Sequence, residues 1–249
     1  MGEQKEIKEG IKLNLTFTDA DDAFVEEYEK QVAAENCKKA FRTCGIGRDM
    51  FGASLKLYDQ SYEIQKSVMS KVRIFYDNVK NNRKSNMIIH GDAGEGKTLL
   101  AAGILKQFCY TKKKVVVNDH ELESFYTVKY LTSFEMCTMF RNARSYSVRE
   151  YSEYSFYRDF TRTFDIMVID EVGKAEDPNE WLILFEVLDK RMQEQKWTIL
   201  ITNLQYEALN KKLSSYGMSR LNIDGNLILI DTTGLPDFRQ KPELLYKVG

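Results

Sequence analysis

Eight consecutive residues, Gly91-Asp92-Ala93-Gly94-Glu95-Gly96-Lys97-Thr98, follow the spacing G-x-x-x-x-G-K-[ST]. That spacing suits a phosphate chain. Glycines let backbone N–H groups turn inward around an anion at the positive end of a helix. A lysine then reaches the β- and γ-phosphates, and a hydroxyl ligates Mg²⁺. Here those groups are Lys97 and Thr98, and Leu99 continues into the helix. A chance glycine-rich turn is the plain alternative, but an apolar strand before the loop and helical periodicity after it both argue for phosphate. Downstream, Phe164-Asp165-Ile166-Met167-Val168-Ile169-Asp170-Glu171 is an apolar strand ending in two acids. Alone, such a pair is commonly a solvated turn. Beside a phosphate loop, Asp170 is placed to hold Mg²⁺ through water and Glu171 to polarise an attacking water as a base. The pair of motifs points to nucleotide hydrolysis.

Two further residues have a chemical reading and a bland one. Asn203 follows the run Thr198–Ile201 and can orient water toward the γ-phosphate or simply start a turn. Arg220, in Tyr216-Gly217-Met218-Ser219-Arg220-Leu221, can serve a neighbouring subunit as an arginine finger. Spacing alone favours a surface arginine there.

These residues need a scaffold. From about residue 85, short apolar runs (Met87–Ile89, Val115–Val117, Ile166–Ile169, Thr198–Ile201, Leu227–Ile230) alternate with helical patterns. Each is apolar on both faces, as strands buried between helix layers are. The expectation is a three-layer α/β P-loop NTPase domain with a five-stranded parallel sheet. Leu99–Tyr110 and Asn179–Gln195 read as helices, the latter with Asp177 as N-cap, Pro178 at the first position and Glu180 closing a capping box. Upstream, Asp21–Phe41 reads as a helix with Phe24, Val25, Tyr28, Val32 and Cys37 on one stripe. Ser61–Val79 reads as another, and Arg48–Gln60 as loop. The expected division is a helical N-terminal region and linker over 1–60 and an ATPase domain over 61–249 without a C-terminal lid.

Composition narrows the setting. The chain has 249 residues, 43% hydrophobic and 29% charged, with a net charge of −1. That is a globular composition with no bias toward a nucleic acid or membrane partner. Residues 1–36 carry ten acids against four lysines, and residues 37–85 eleven bases against four acids. No run approaches the roughly 18 apolar residues of a membrane span, and the N-terminus has no signal-peptide core. The four cysteines are scattered, which argues against a disulfide framework or zinc site. His90, His120 and the Lys112–Lys114 run read as structural or solvated. A cytoplasmic protein without membrane contact is expected.

Arg141–Arg162 mixes arginines with Tyr146, Tyr151, Tyr154, Phe156, Tyr157 and Phe160. Single-stranded nucleic acid binds through such residues, by stacking and charge neutralisation. The acids Glu150, Glu153 and Asp159 interrupt the basic surface and favour an amphipathic helix packed on the sheet instead.

Taken in order, the phosphate loop, Val168-Ile169-Asp170-Glu171-Val172-Gly173, Leu188-Asp189-Lys190-Arg191, Leu200-Ile201-Thr202-Asn203 and Met218-Ser219-Arg220-Leu221 resemble the bacterial DnaC-type replicative helicase loaders, AAA+ ATPases of the DnaC/IstB-like family. The likeness runs from about residue 36 to 240 and includes Phe41-Arg42-Thr43-Cys44-Gly45-Ile46. It implies an N-terminal region that docks on a hexameric DnaB-type helicase. It also implies binding of single-stranded DNA, and self-association with ATP and DNA through Arg220. Tyr216 stands where the family often carries a further arginine, and Ala93 where AAA+ loops often carry proline. An IstB-type transposition helper, a P-loop kinase and an ATP-binding interaction module are the alternative readings.

Overall fold

Short runs rich in β-branched residues form the centre of the computed structural model, which describes residues 19–58, 63–144, 155, 158–175 and 177–238. The chain divides into two compact units, 1–36 and 37–249. In the first, the described residues belong to α1 (Asp19–Thr43). Tyr28 and Val32, two of the apolar residues that recur at helical spacing, are exposed. Acids and lysines surround these positions in sequence, so this stretch offers no broad apolar face. The side chains of Phe24 and Val25 lie outside the described residues.

The second unit alternates strands and helices: α2 (Glu63–Lys80), β1 (Asn86–His90), α3 (Lys97–Cys109), β2 (Lys112–Val117), β3 (His120–Phe125), β4 (Val128–Thr132), α4 (Ser133–Arg144), β5 (Ile166–Asp170), α5 (Glu180–Gln193), β6 (Trp197–Thr202), α6 (Tyr206–Leu221) and β7 (Leu227–Asp231). Five strands form one parallel sheet in the order β4-β5-β6-β1-β7. Ile88 is in register with Leu200 on one side and Leu229 on the other.

Successive strand residues face opposite sides, so the sheet builds two cores. Met87, Ile89, Val168 and Ile199 pack with Val68, Val72 and Phe75 of α2 and Leu100, Ile104 and Phe108 of α3. Ile88, Met167, Ile169 and Leu200 pack with Met136 and Phe140 of α4, Ile183 and Leu184 of α5, and Leu209 and Leu213 of α6. Burying each such side chain contributes about 1.5–3 kcal/mol. This is the three-layer α/β architecture expected, and its parallel strands bring their C-terminal ends to one edge.

The membership of the sheet corrects one expectation. Val115–Val117 is not a sheet strand. It belongs to an antiparallel hairpin of β2 with β3, separate from the main sheet. Asn118 (φ +48°) and Asp119 (φ +63°) form the two-residue turn, the left-handed pair that hairpins favour. Lys112–Lys114 is therefore strand, with Lys112 paired to Glu123 and Lys114 to Glu121. The fifth sheet strand is β4, whose Lys129 and Thr132 break the apolar run that marks the others.

The start of α5 also differs. The helix begins at Glu180 with Asn179 as N-cap, while Asp177 Oδ1 accepts from Asn179 N at 2.8 Å in the preceding turn. Glu180 makes no capping box, because its carboxylate turns inward. Arg48–Tyr58, the described part of the expected loop, is irregular apart from 3-10 turns at Arg48–Met50 and Leu55–Leu57.

Near the end of α5, Arg191 is fully buried. Its guanidinium donates to the carbonyl oxygens of Phe160, Phe164, Asp165 and Trp197 and to Thr198 Oγ1. A buried charge is tolerable only with such complete pairing. Burial pulls its pKa down to about 9, still well above neutrality.

Candidate active site

The loop leaving β1 depends on two glycine conformations. Gly91 has φ +142°, and a Cβ there would stand 2.2 Å from Thr232 Oγ1. Gly96 caps α3 with φ +77°, and a Cβ there would meet the Phe238 ring at 2.7 Å. Side chains at either place clash, so backbone amides line the turn. Lys97 Nζ donates to Gly91 O at 2.8 Å and Asp92 O at 2.5 Å. Burial pulls the Lys97 pKa below the ordinary lysine value, opposed by the charges of Glu95, Asp170 and Asp92.

Parallel pairing of β1, β6 and β5 carries Asp170 to the same edge. Thr98 Oγ1 donates to Asp170 Oδ2 at 2.8 Å, and Tyr130 OH to the same oxygen at 2.6 Å. Glu171 N donates to Asp170 Oδ1 at 2.6 Å. Glu171 itself has φ +59°, a left-handed conformation that costs energy in a non-glycine residue. Its half-exposed carboxylate pairs with Lys174 Nζ at 2.9 Å. The turn behind it is held by Glu180, whose Oε1 accepts from Gly173 N at 2.7 Å and from Ser133 Oγ.

One pocket of about 470 Å³ gathers Ala93, Gly94, Gly96, Lys97, Thr98 and Leu99 with Tyr130, Asp170, Glu171 and Asn203. Met50 and Phe238 give it an apolar wall, suited to a planar base beside the phosphates. Of the residues singled out in the sequence, Gly91, Asp92, Glu95 and Arg220 lie outside this lining. The Arg220 Nε is 2.7 Å from Asp189 Oδ1, an ion pair angled outside hydrogen-bond geometry. Its guanidinium sits 4.7 Å from the centre of the Tyr216 ring.

Glu95 has a part that its motif position does not reveal. It is buried; Oε2 accepts from Asp92 N at 2.6 Å and Thr232 Oγ1 at 2.9 Å, and Oε1 from Gly234 N at 2.9 Å. With Phe238 N donating to Gly94 O, the chain after β7 is strapped across the loop. Sequence reasoning also missed Tyr130, Glu180, Met50 and Phe238. Only Tyr130 had a signal, a β-prone run too short and too polar to stand out.

The donors at Thr98 and Asp170 are hard oxygens, which fit Mg²⁺. Among the described residues no group of three or more His, Cys, Asp or Glu could hold a metal. Sharing a cation with phosphate oxygens is the usual arrangement for Mg²⁺.

The stretch 141–162 falls largely outside the described residues. Of its described bases, Arg141 pairs with Asp177 at 2.7 Å, Arg158 with Asp159 at 3.0 Å and Arg162 with Glu194 at 3.1 Å. The Arg144 guanidinium lies 4.2 Å from the Phe140 ring centre, and Phe160 is buried. The four cysteines are free and buried. No helix among the described residues is long and apolar enough to cross a membrane.

Comparison with known proteins bears on this geometry. No protein-family model matches the chain. The replicative helicase loader DnaC of Escherichia coli K12 is 28% identical over 203 residues, covering 81% of this chain and 76% of that protein. The crystal structure of the DnaC helicase loader superposes with a TM-score of 0.56 at 18% identity, over 74% of this chain and 99% of that one. This chain is similar in sequence to the replicative helicase loader DnaC. AMPPCP-bound DnaA from Aquifex aeolicus shares the fold, with a TM-score of 0.50 at 16% identity over 68% of this chain and 47% of that one. The Thr98–Asp170 pairing thus sits in a chain whose sequence likeness to DnaC spans 81% of its length.

Proposed function

We propose that this chain is an ATP-dependent loader of a hexameric DnaB-type replicative helicase. The observation that carries the reading is one pocket joining Lys97 and Thr98 to Asp170, Glu171 and Asn203, in a chain similar to DnaC. The loop amides and Lys97 bind the β- and γ-phosphates of ATP, and Thr98 and Asp170 hold Mg²⁺. The bound Mg²⁺ supplies charge neutralisation between the phosphates. Glu171 takes the proton of the attacking water, and Asn203 orients that water. Product forms without phosphorylating another molecule, unlike a kinase.

In this reading residues 1–60 dock on the helicase, residues 61–249 form the ATPase domain, and the protein works in the cytoplasm. Subunits line up on single-stranded DNA, where Arg220 reaches the neighbour's γ-phosphate. Arg141–Arg162 is the segment proposed to touch that DNA. The test is recovery of a tagged full-length chain from its native cells with ATP and Mg²⁺. Co-purification of a hexameric helicase, lost on deletion of residues 1–36, which spares the compact unit 37–249, supports the reading. Recovery of a transposase instead would overturn it in favour of a transposition helper.

A further inference from the structure

Tyr130 belongs to none of the motifs that mark this site, yet its hydroxyl is at the centre of it. It lies on β4, next to β5 in the sheet, and its side chain is buried. The phenol donates to Asp170 Oδ2, the oxygen that also accepts from Thr98 Oγ1. Glu171 N occupies Oδ1. A free aspartate rotates broadly about its last torsion; three donors shared between its two oxygens remove that freedom.

Tyr130 is itself held in place. Its backbone N–H donates to Cys44 O at 2.8 Å. Gly45, at φ +108°, lies so close that a Cβ there would stand 2.2 Å from Tyr130 O. The phenol is thus delivered to Asp170 from a strand pinned on both sides. Burial, then the Asp170 charge, pushes its pKa above the ordinary tyrosine value.

We propose that Tyr130 is a positioning residue for the cation site. Its phenol fixes Asp170 in the orientation in which Asp170 and Thr98 share Mg²⁺ with the phosphates of ATP. The inference rests on the proposed nucleotide site. Partners of this kind, one step removed from a metal, typically contribute about 10–100-fold in metal affinity.

The test is the Mg²⁺ dependence of binding of a fluorescent ATP analogue, compared between the wild-type chain and Tyr130→Phe. The expected result is a rise of about tenfold or more in half-saturating Mg²⁺, with affinity in EDTA unchanged. Circular dichroism melting controls for folding. In an Asp170→Asn background the same substitution should add nothing, since the coupling runs through the carboxylate. An unchanged Mg²⁺ midpoint, or equal weakening with and without Mg²⁺, would overturn the inference and leave Tyr130 as packing. Absence of any Mg²⁺-dependent binding by the wild-type chain would overturn the nucleotide site itself, and Tyr130 with it.

Discussion

The carboxylate of Glu95 accepts a hydrogen bond from the hydroxyl of Thr232 at 2.9 Å, joining positions 137 residues apart. Through it the phosphate loop is anchored to the chain that follows the last strand. Glu95→Ala leaves Asp92 N and Gly234 N without this partner, while the Thr232 hydroxyl still donates to His90 O at 3.0 Å. Each such bond contributes about 0.5–1.5 kcal/mol, and more to a charged acceptor. Urea unfolding should show a loss of about 2 kcal/mol or more, against about 1 kcal/mol for Thr232→Val, which removes one of the three bonds to Glu95. Equal losses in the two variants would contradict the clamp.

Lys97 supplies the charge of the loop. Lys97→Ala should weaken ATP binding by about 100-fold or more, since charge-assisted hydrogen bonds contribute about 1.5–3 kcal/mol each. Titration with a fluorescent ATP analogue checks this, and affinity within a few-fold of wild type would remove Lys97 from the phosphates.

Glu171→Gln should keep nucleotide and lose turnover. Thr98 and Asp170 are untouched, so binding stays near wild type. Loss of the base should lower phosphate release by about 10²–10⁴-fold. Wild-type turnover in this variant would rule out Glu171 as the base.

Asp165 sets an acid limit to stability. Burial pushes its pKa up, but hydrogen bonds from Lys113 and Lys196 outweigh that and hold it below the ordinary aspartate value. The folded state therefore gains stability above the unfolded pKa of about 3.9 and loses it as pH falls through the lower folded value. Asp165→Asn should lower Tm at pH 7 and flatten the acid limb below about pH 4. A variant whose acid limb matches wild type would point to other carboxylates.

Arg220→Ala tests assembly. A finger acts on a neighbour, so nucleotide affinity of the isolated subunit should be unchanged. DNA-stimulated hydrolysis should fall by about 10³-fold. Mixing Arg220→Ala with Lys97→Ala should restore part of it, because one variant keeps the site and the other the finger. No effect in either experiment would return Arg220 to its pairing with Asp189.

What the sequence determined by itself was the chemistry that is local along the chain. The phosphate loop is legible because eight adjacent residues set its backbone turn. The strand ending in Asp170 and Glu171 is legible because burial on both faces demands an unbroken apolar run. Tertiary structure decided what depends on neighbours far away in the chain. Val115–Val117 reads like the other strands but pairs in a hairpin outside the sheet, while polar-marked Val128–Thr132 takes its place. Strand order, set by how helices cover the sheet, brings the phenol of Tyr130 to Asp170, 40 residues on. It likewise brings Thr232 to Glu95. No spacing rule anticipates such pairs, because a hydrogen bond depends on distance in space, and the fold alone sets that distance.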